Sequence, residues 1–144
     1  MKRLMLIALA IVTLTGCSSF RREWNTASKQ PIPANSIEGA WSGDWHSDQN
    51  GHHGALRCVV TKTSDTTYRA HFKATYGKLL HFSYVATLTG AETNGAVALK
   101  GEADLGKLAG GVYTYEGKAT PTEFESGYSC KYDHGAYEMR RPAR

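Results

Sequence analysis

Tyr68-Arg69-Ala70-His71-Phe72-Lys73-Ala74-Thr75-Tyr76 alternates without a break between an apolar or aromatic set and a polar or charged set. In an extended chain successive side chains point to opposite faces, so Tyr68, Ala70, Phe72, Ala74 and Tyr76 share a dry face and the residues between them a wet one. The same period of two runs outward in both directions. Upstream, Trp41, Gly43 and Trp45 alternate with Ser42, Asp44 and His46, and Leu56, Cys58 and Val60 with Arg57 and Thr61. Downstream come Leu80 to Leu88, Val97 to Leu105, Tyr113 to Ala119, Phe124 to Tyr132, and Tyr137 with Met139. About eight strands follow, parted by turn signals every ten residues or so. Among these, Asn50-Gly51 and Asn94-Gly95 are the strongest, because a type I′ hairpin turn needs positive φ at both central residues. Consecutive hairpins with one apolar face each predict an all-β domain, an antiparallel up-and-down meander closed into a barrel, since closure removes exposed strand edges. Two sheets packed as an open sandwich are the alternative.

The chain ahead of this domain reads differently. Lys2-Arg3 precede an apolar run from Leu4 to Leu14, far short of the roughly 20 apolar residues a spanning helix needs. A basic start, a short apolar segment and a small residue before a cut site form a secretory signal. Leu14-Thr15-Gly16-Cys17 resembles the lipobox of bacterial lipoproteins. That resemblance implies removal of residues 1–16, lipidation of Cys17 as the first mature residue, and anchoring on a membrane without spanning it. Ser18 stands where the family's inner-membrane retention signal has an aspartate, which implies the outer membrane, facing the periplasm. Residues 17–35 are polar, contain Pro31-Ile32-Pro33 and read as a flexible tether; residues 36–144 form the β-barrel domain.

The formal charge of +4 falls to +2 once Lys2 and Arg3 leave with the signal. With no Lys/Arg cluster, the mature chain lacks the electrostatic footprint of a nucleic-acid binder. Cys58 and Cys130 are an even pair in an oxidising compartment, where a disulfide is the default. The alternative is two reduced thiols, since the bond must span a chord of the barrel.

Gly39-Ala40-Trp41 in the first strand, with Arg140 or Arg141 in the last, resembles the calycin pattern. The resemblance, which covers those two strands only, implies that Trp41 plugs one end of a calycin-like barrel and that a late arginine, taken as Arg140, packs over its ring. The domain has the size of avidins or small bacterial protease-inhibitor barrels rather than of lipocalins.

No nucleophile elbow, zinc-protease helix or phosphate loop is present, and Glu102 and Asp104 fall on the wet face, so no catalytic residue is assigned and the protein reads as a non-enzyme. All eight tyrosines fall on the inward parity. Tyr68, Tyr76, Tyr84, Tyr113, Tyr115, Tyr128 and Tyr132 are candidates to line a cavity for an amphipathic small molecule, because buried hydroxyls need partners. The competing reading is a packed barrel in which large and small residues alternate. One end of the meander gathers His52, His53, His134 and Asp133, a candidate metal site without diagnostic spacing; no cofactor is implied. The expected partners are the membrane, through the lipid, and either a small molecule or an envelope protein at the His-bearing end. That end is expected to face away from the membrane, because the domain starts and finishes at the opposite one.

Overall fold

The alternation becomes strands where it was read. A computed structural model describes residues 19–144; Cys17 and the lipobox lie outside the described residues. The strands are β1 (Gly39–Ser47), β2 (His53–Ser64), β3 (Thr67–Tyr76), β4 (Leu80–Thr89), β5 (Glu92–Thr93), β6 (Ala96–Asp104), β7 (Val112–Ala119), β8 (Glu123–Ser129) and β9 (His134–Arg140). Hydrogen-bonded order is β4-β3-β2-β1-β9-β8-β7-β6-β5, all antiparallel, and β4 also pairs with β6. That last pairing closes the sheet into an eight-stranded up-and-down barrel with the two-residue β5 as an extra strand. Asn94 at φ 55° and Gly95 at φ 79° make the β5–β6 turn, as the Asn-Gly pair predicts.

One end of the barrel is dry and tightly closed, with Trp41, Val60, Tyr68, Leu88, Val97, Phe124 and Met139 buried there. Ile37, fully buried, caps it from below and accepts a 2.9 Å hydrogen bond from Trp41 Nε1. The chain before β1 crosses under this end, and Asn35 lies against Gly95. Gly39 is required at its position, because it adopts φ 107° and the Arg141 guanidinium lies 3.1 Å from where a Cβ would stand. The arginine over Trp41 is Arg141, with Cζ 4.0 Å from the ring centroid, and not Arg140. Alternation explains the correction. Arg140 follows inward Met139 and so points outward, where it is exposed and pairs with Glu123 at 2.7 Å. Arg141, past the last paired residue, is free to fold back over the end.

The supposed flexible tether contains a helix, α1 (residues 19–27), docked on the outer wall of β2 and β3. Phe20, Trp24 and Ala27 share one helical face at i, i+4 and i+7. Phe20 is 1% exposed and meets the His71 ring edge-on at 5.1 Å; Trp24 receives the Arg57 guanidinium at 4.9 Å. Glu23 accepts hydrogen bonds from Arg69 at 3.0 and 3.3 Å and contacts His71 Nδ1 at 3.0 Å. His71, assigned to the wet face, does point outward, but the helix covers it and it is buried. The helix also changes the orientation expected from topology. The chain enters β1 at the closed end, but α1 turns back along the wall, so the described chain begins beside β3 and not beneath the barrel.

Partial burial opposes the charge on Glu23, but hydrogen bonds and charge from Arg69 and His71 outweigh it and hold its pKa below the usual value. A carboxylate whose folded pKa is depressed adds stability above its unfolded pKa and loses it as pH falls. Docking of α1 is therefore expected to hold at neutral pH and to weaken as pH falls below the ordinary glutamate range, about 4. Amide exchange of residues 19–27 should report this, and Glu23→Gln should flatten the dependence.

Candidate functional site

At the other end the barrel is looser. β4 pairs with β6 only through Thr87, Leu88 and Thr89. Above that short seam, Leu80 to Ala86 pair with β3 on one side, and among the described residues no strand pairs on the other. Leu80, Phe82 and Val112 are exposed around this opening, and Tyr84, Leu105 and Tyr113 are half-buried within it.

Below the opening stands a cluster of rings centred on Phe72. It stacks on Tyr84 at 5.1 Å and Tyr115 at 6.2 Å and meets Tyr137 edge-on at 5.6 Å. Alternation places these four inward from β3, β4, β7 and β9. The Tyr137 hydroxyl is buried and makes no hydrogen bond of good geometry among the described residues. Ser126, on the neighbouring strand, spends its proton on Gly127 O at 2.8 Å and still lies close enough to the phenol to lower its pKa against burial. Burial pushes the phenol pKa values of Tyr84 and Tyr137 well above 10 and that of Tyr115 to about 12. The barrel interior thus presents neutral O–H donors at every ordinary pH.

Of the seven candidate tyrosines, Tyr84 and Tyr115 join this cluster, and Tyr113 and Tyr128 pair at 6.1 Å on the wall above it. Tyr128 OH is already engaged, donating to His46 O at 3.3 Å and Asp133 at 3.2 Å. The other three lie elsewhere. Tyr68 sits at the closed end with its hydroxyl 3.3 Å from Glu92. Tyr76 is on the rim, stacked on Trp45 and bonded to His52, and Tyr132 is exposed in the β8–β9 loop. Tyr137 joins the cluster although it is not among those seven; its inward parity is the signal in the sequence, and its poorly satisfied hydroxyl sets it apart.

The candidate metal ligands are not brought together. His52 is held by Tyr76, His53 pairs across from His46, His134 offers its carbonyl to Asp48, and Asp133 accepts from Ser47 and Tyr128. Among the described residues no three His, Cys, Asp or Glu side chains are grouped to hold an ion. The expected disulfide is also absent, and Cys58 and Cys130 are free thiols. Cys58 is buried between Trp41 and Phe72 on β2, whereas Cys130 follows β8 at the rim near Gly110. β2 and β8 are three strand spacings apart, about 14 Å along the wall, and a disulfide needs Cα atoms within roughly 7 Å.

No family model matches the chain, and no curated protein does. Solved structures do. A de novo designed fluorescence-activating β-barrel superposes with a TM-score of 0.55 at 13% identity, covering 78% of this chain and 100% of that one. A redesigned β-barrel gives 0.56 at 14%, covering 78% and 96%. EF1p2_mFAP2b bound to DFHBI gives 0.51 at 13%, covering 74% and 94%. At such identities the likeness is one of fold. The class it defines is the small closed antiparallel barrel. On that barrel this chain carries its Trp41–Arg141 closure, its docked α1 and a short β4–β6 seam.

Proposed function

We propose that the protein is a non-enzymatic, lipid-anchored binding barrel, held through Cys17 on the outer membrane facing the periplasm. It takes an amphipathic small molecule through the opening between β4 and β6. The Tyr137 hydroxyl carries this reading, because it is buried with only a poorly aligned contact to Ser126, a buried donor left unsatisfied costs about 1–3 kcal/mol, and a guest bearing an acceptor removes that cost. The closed end supports the calycin-like resemblance, with the tryptophan plugged and an arginine over it. One of the similar barrels is bound to DFHBI, so a barrel of this architecture can carry a small molecule. The Phe72 stack favours a rival reading, a packed envelope protein with no guest, docking to a partner at its loops.

Native mass spectrometry of the protein isolated from its own envelope tests the two. A bound mass, with a thermal midpoint that Tyr137→Phe lowers, is expected. A clean apo mass, with Tyr137→Phe raising stability by about 1 kcal/mol as the poorly satisfied hydroxyl is removed, favours the packed barrel. The anchor is tested separately. Processing should be blocked by globomycin and lost in Cys17→Ala; unchanged processing overturns it.

A further inference from the structure

Three of the four loops at the open end share a composition that neither the barrel core nor ligand binding needs. The β3–β4 loop reads Gly77-Lys78-Leu79, the β6–β7 loop Gly106-Lys107-Leu108, and the β8–β9 loop Lys131-Tyr132. Leu79 is 87% exposed, Leu108 101% and Tyr132 68%, so these apolar side chains meet essentially no protein. Gly77 at φ 63° and Gly106 at φ 80° hold the two leucine tips outward. Each tip has a lysine just before its apolar residue, and among the described residues none of Lys78, Lys107 and Lys131 has an ion-pair partner. Lys131 lies 5.3 Å over the Tyr132 ring. The aspartates of this end are engaged locally: Asp104 accepts from Gly106 N at 2.9 Å, Asp133 from Ser47 and Tyr128, and Asp48 faces His46 at 3.5 Å. Among the described residues the β2–β3, β4–β5, β5–β6 and β7–β8 turns of the opposite end carry no large exposed apolar side chain; Ile32, half-exposed, lies in the segment that crosses beneath them.

We infer that the open end docks on an anionic lipid bilayer, with Leu79, Leu108 and Tyr132 entering the interfacial layer and Lys78, Lys107 and Lys131 meeting the headgroups. The three apolar tips stand on separate hairpins, each beside a cation, with exposed Leu80, Phe82 and Val112 on the strands below them, and a lysine at every tip suits an anionic fluid surface. The core of a protein interface is instead depleted of lysine. Tyrosine and lysine are side chains that settle at the membrane boundary, the ring among the headgroups and the ammonium reaching outward. Each lysine near such a surface contributes by charge, and each leucine by leaving water. The start of the described chain on the β3 wall puts Cys17 within about 7 Å of Ser19, which would keep this end within reach of the bilayer holding the anchor. The inference stands without the anchor and without a bound guest.

The barrel, its closed end and α1 all lie within residues 19–144, so a chain beginning at Ser19 separates this surface from the lipid. Cosedimentation with vesicles of phosphatidylglycerol and phosphatidylethanolamine is the measurement, with phosphatidylcholine vesicles as comparison. Binding to the anionic vesicles is expected, weakening as salt rises. It should fall at least about tenfold in Leu79→Ser/Leu108→Ser and by a similar factor in Lys78→Glu/Lys107→Glu/Lys131→Glu. Circular dichroism and thermal midpoint should not change, because these side chains carry no packing. Vesicle binding that is absent, or unaffected by both sets, overturns the inference. So does a leucine-dependent dimer in vesicle-free sedimentation, which assigns the tips to a second copy.

Discussion

Arg141→Ala is expected to cost about 2–4 kcal/mol of unfolding free energy, the larger of two effects at the barrel's periphery. Arg141 donates to Ser36 O at 2.9 Å, Glu38 O at 2.8 Å and Pro121 O at 2.8 Å while covering Trp41 at 4.0 Å. One side chain thus ties the segment before β1 and the β7–β8 turn to the indole that plugs the end. Burial lowers its pKa to about 10, so the guanidinium stays charged at neutral pH. Truncation removes the cation from the ring and strands those three carbonyls together. Arg141→Lys should recover only part of the loss, since an ammonium cannot fork to several acceptors and lie flat over an indole at once. Arg140→Ala should change stability by no more than about 0.5 kcal/mol, because its ion pair with Glu123 is exposed. Urea unfolding of the three variants checks this ordering. Equal losses at 140 and 141 would return the role to the residue named by the sequence.

The barrel was legible in the sequence because closure is a property of the pattern. Tyr68 to Tyr76 alternates, its neighbours alternate with matching parity, and a meander with one dry face has few ways to bury it. What depended on position within the strand was less so. Arg140 and Arg141 are adjacent, and only the register of Met139 tells which one returns over Trp41. Cys58 and Cys130 form an even pair, which composition alone reads as a bond, but their strands lie too far apart around the wall. The histidines and Asp133 share one end, but His52 is held by Tyr76 and Asp133 by Ser47 and Tyr128, and among the described residues no three such side chains converge. Tyr137 is placed inward by its parity; that its hydroxyl is poorly satisfied emerges only from the packed interior.

The helix is hard to read in the sequence for a more general reason. Alternation assigns the outer face of every strand to water, so only a break in it marks a surface that α1 covers. Two signals were present. Cys58-Val59-Val60 breaks the alternation with an outward valine that is 6% exposed, and Phe20 and Trp24 lie four apart in a segment judged only by its polar majority.

Phe20→Ala tests what that helix does. Removing a buried phenylalanine ring costs about 3–5 kcal/mol where the surroundings cannot separate. Here they can, because α1 is a peripheral element that can leave while the barrel stays closed, so the loss is capped at the free energy of docking. Local release is therefore expected. Arg21 and Arg22 should become cleavable by trypsin, amides of residues 19–27 should lose protection, and the barrel's near-ultraviolet signal should persist. Glu23→Gln in the same chain should add less than it does alone, since both substitutions break one docked unit with His71 at its centre. Continued protection of Arg21 and Arg22, with a loss shared by the whole barrel, would mean that α1 is integral to the core. The outcome bears on the proposed anchor. Docked, α1 starts the described chain against the wall of β3; released, the segment ahead of β1 becomes a coil with a reach of about 20 to 25 Å. Docking of α1 therefore sets how far the barrel stands from any membrane that holds Cys17, and Phe20 is the side chain that sets it.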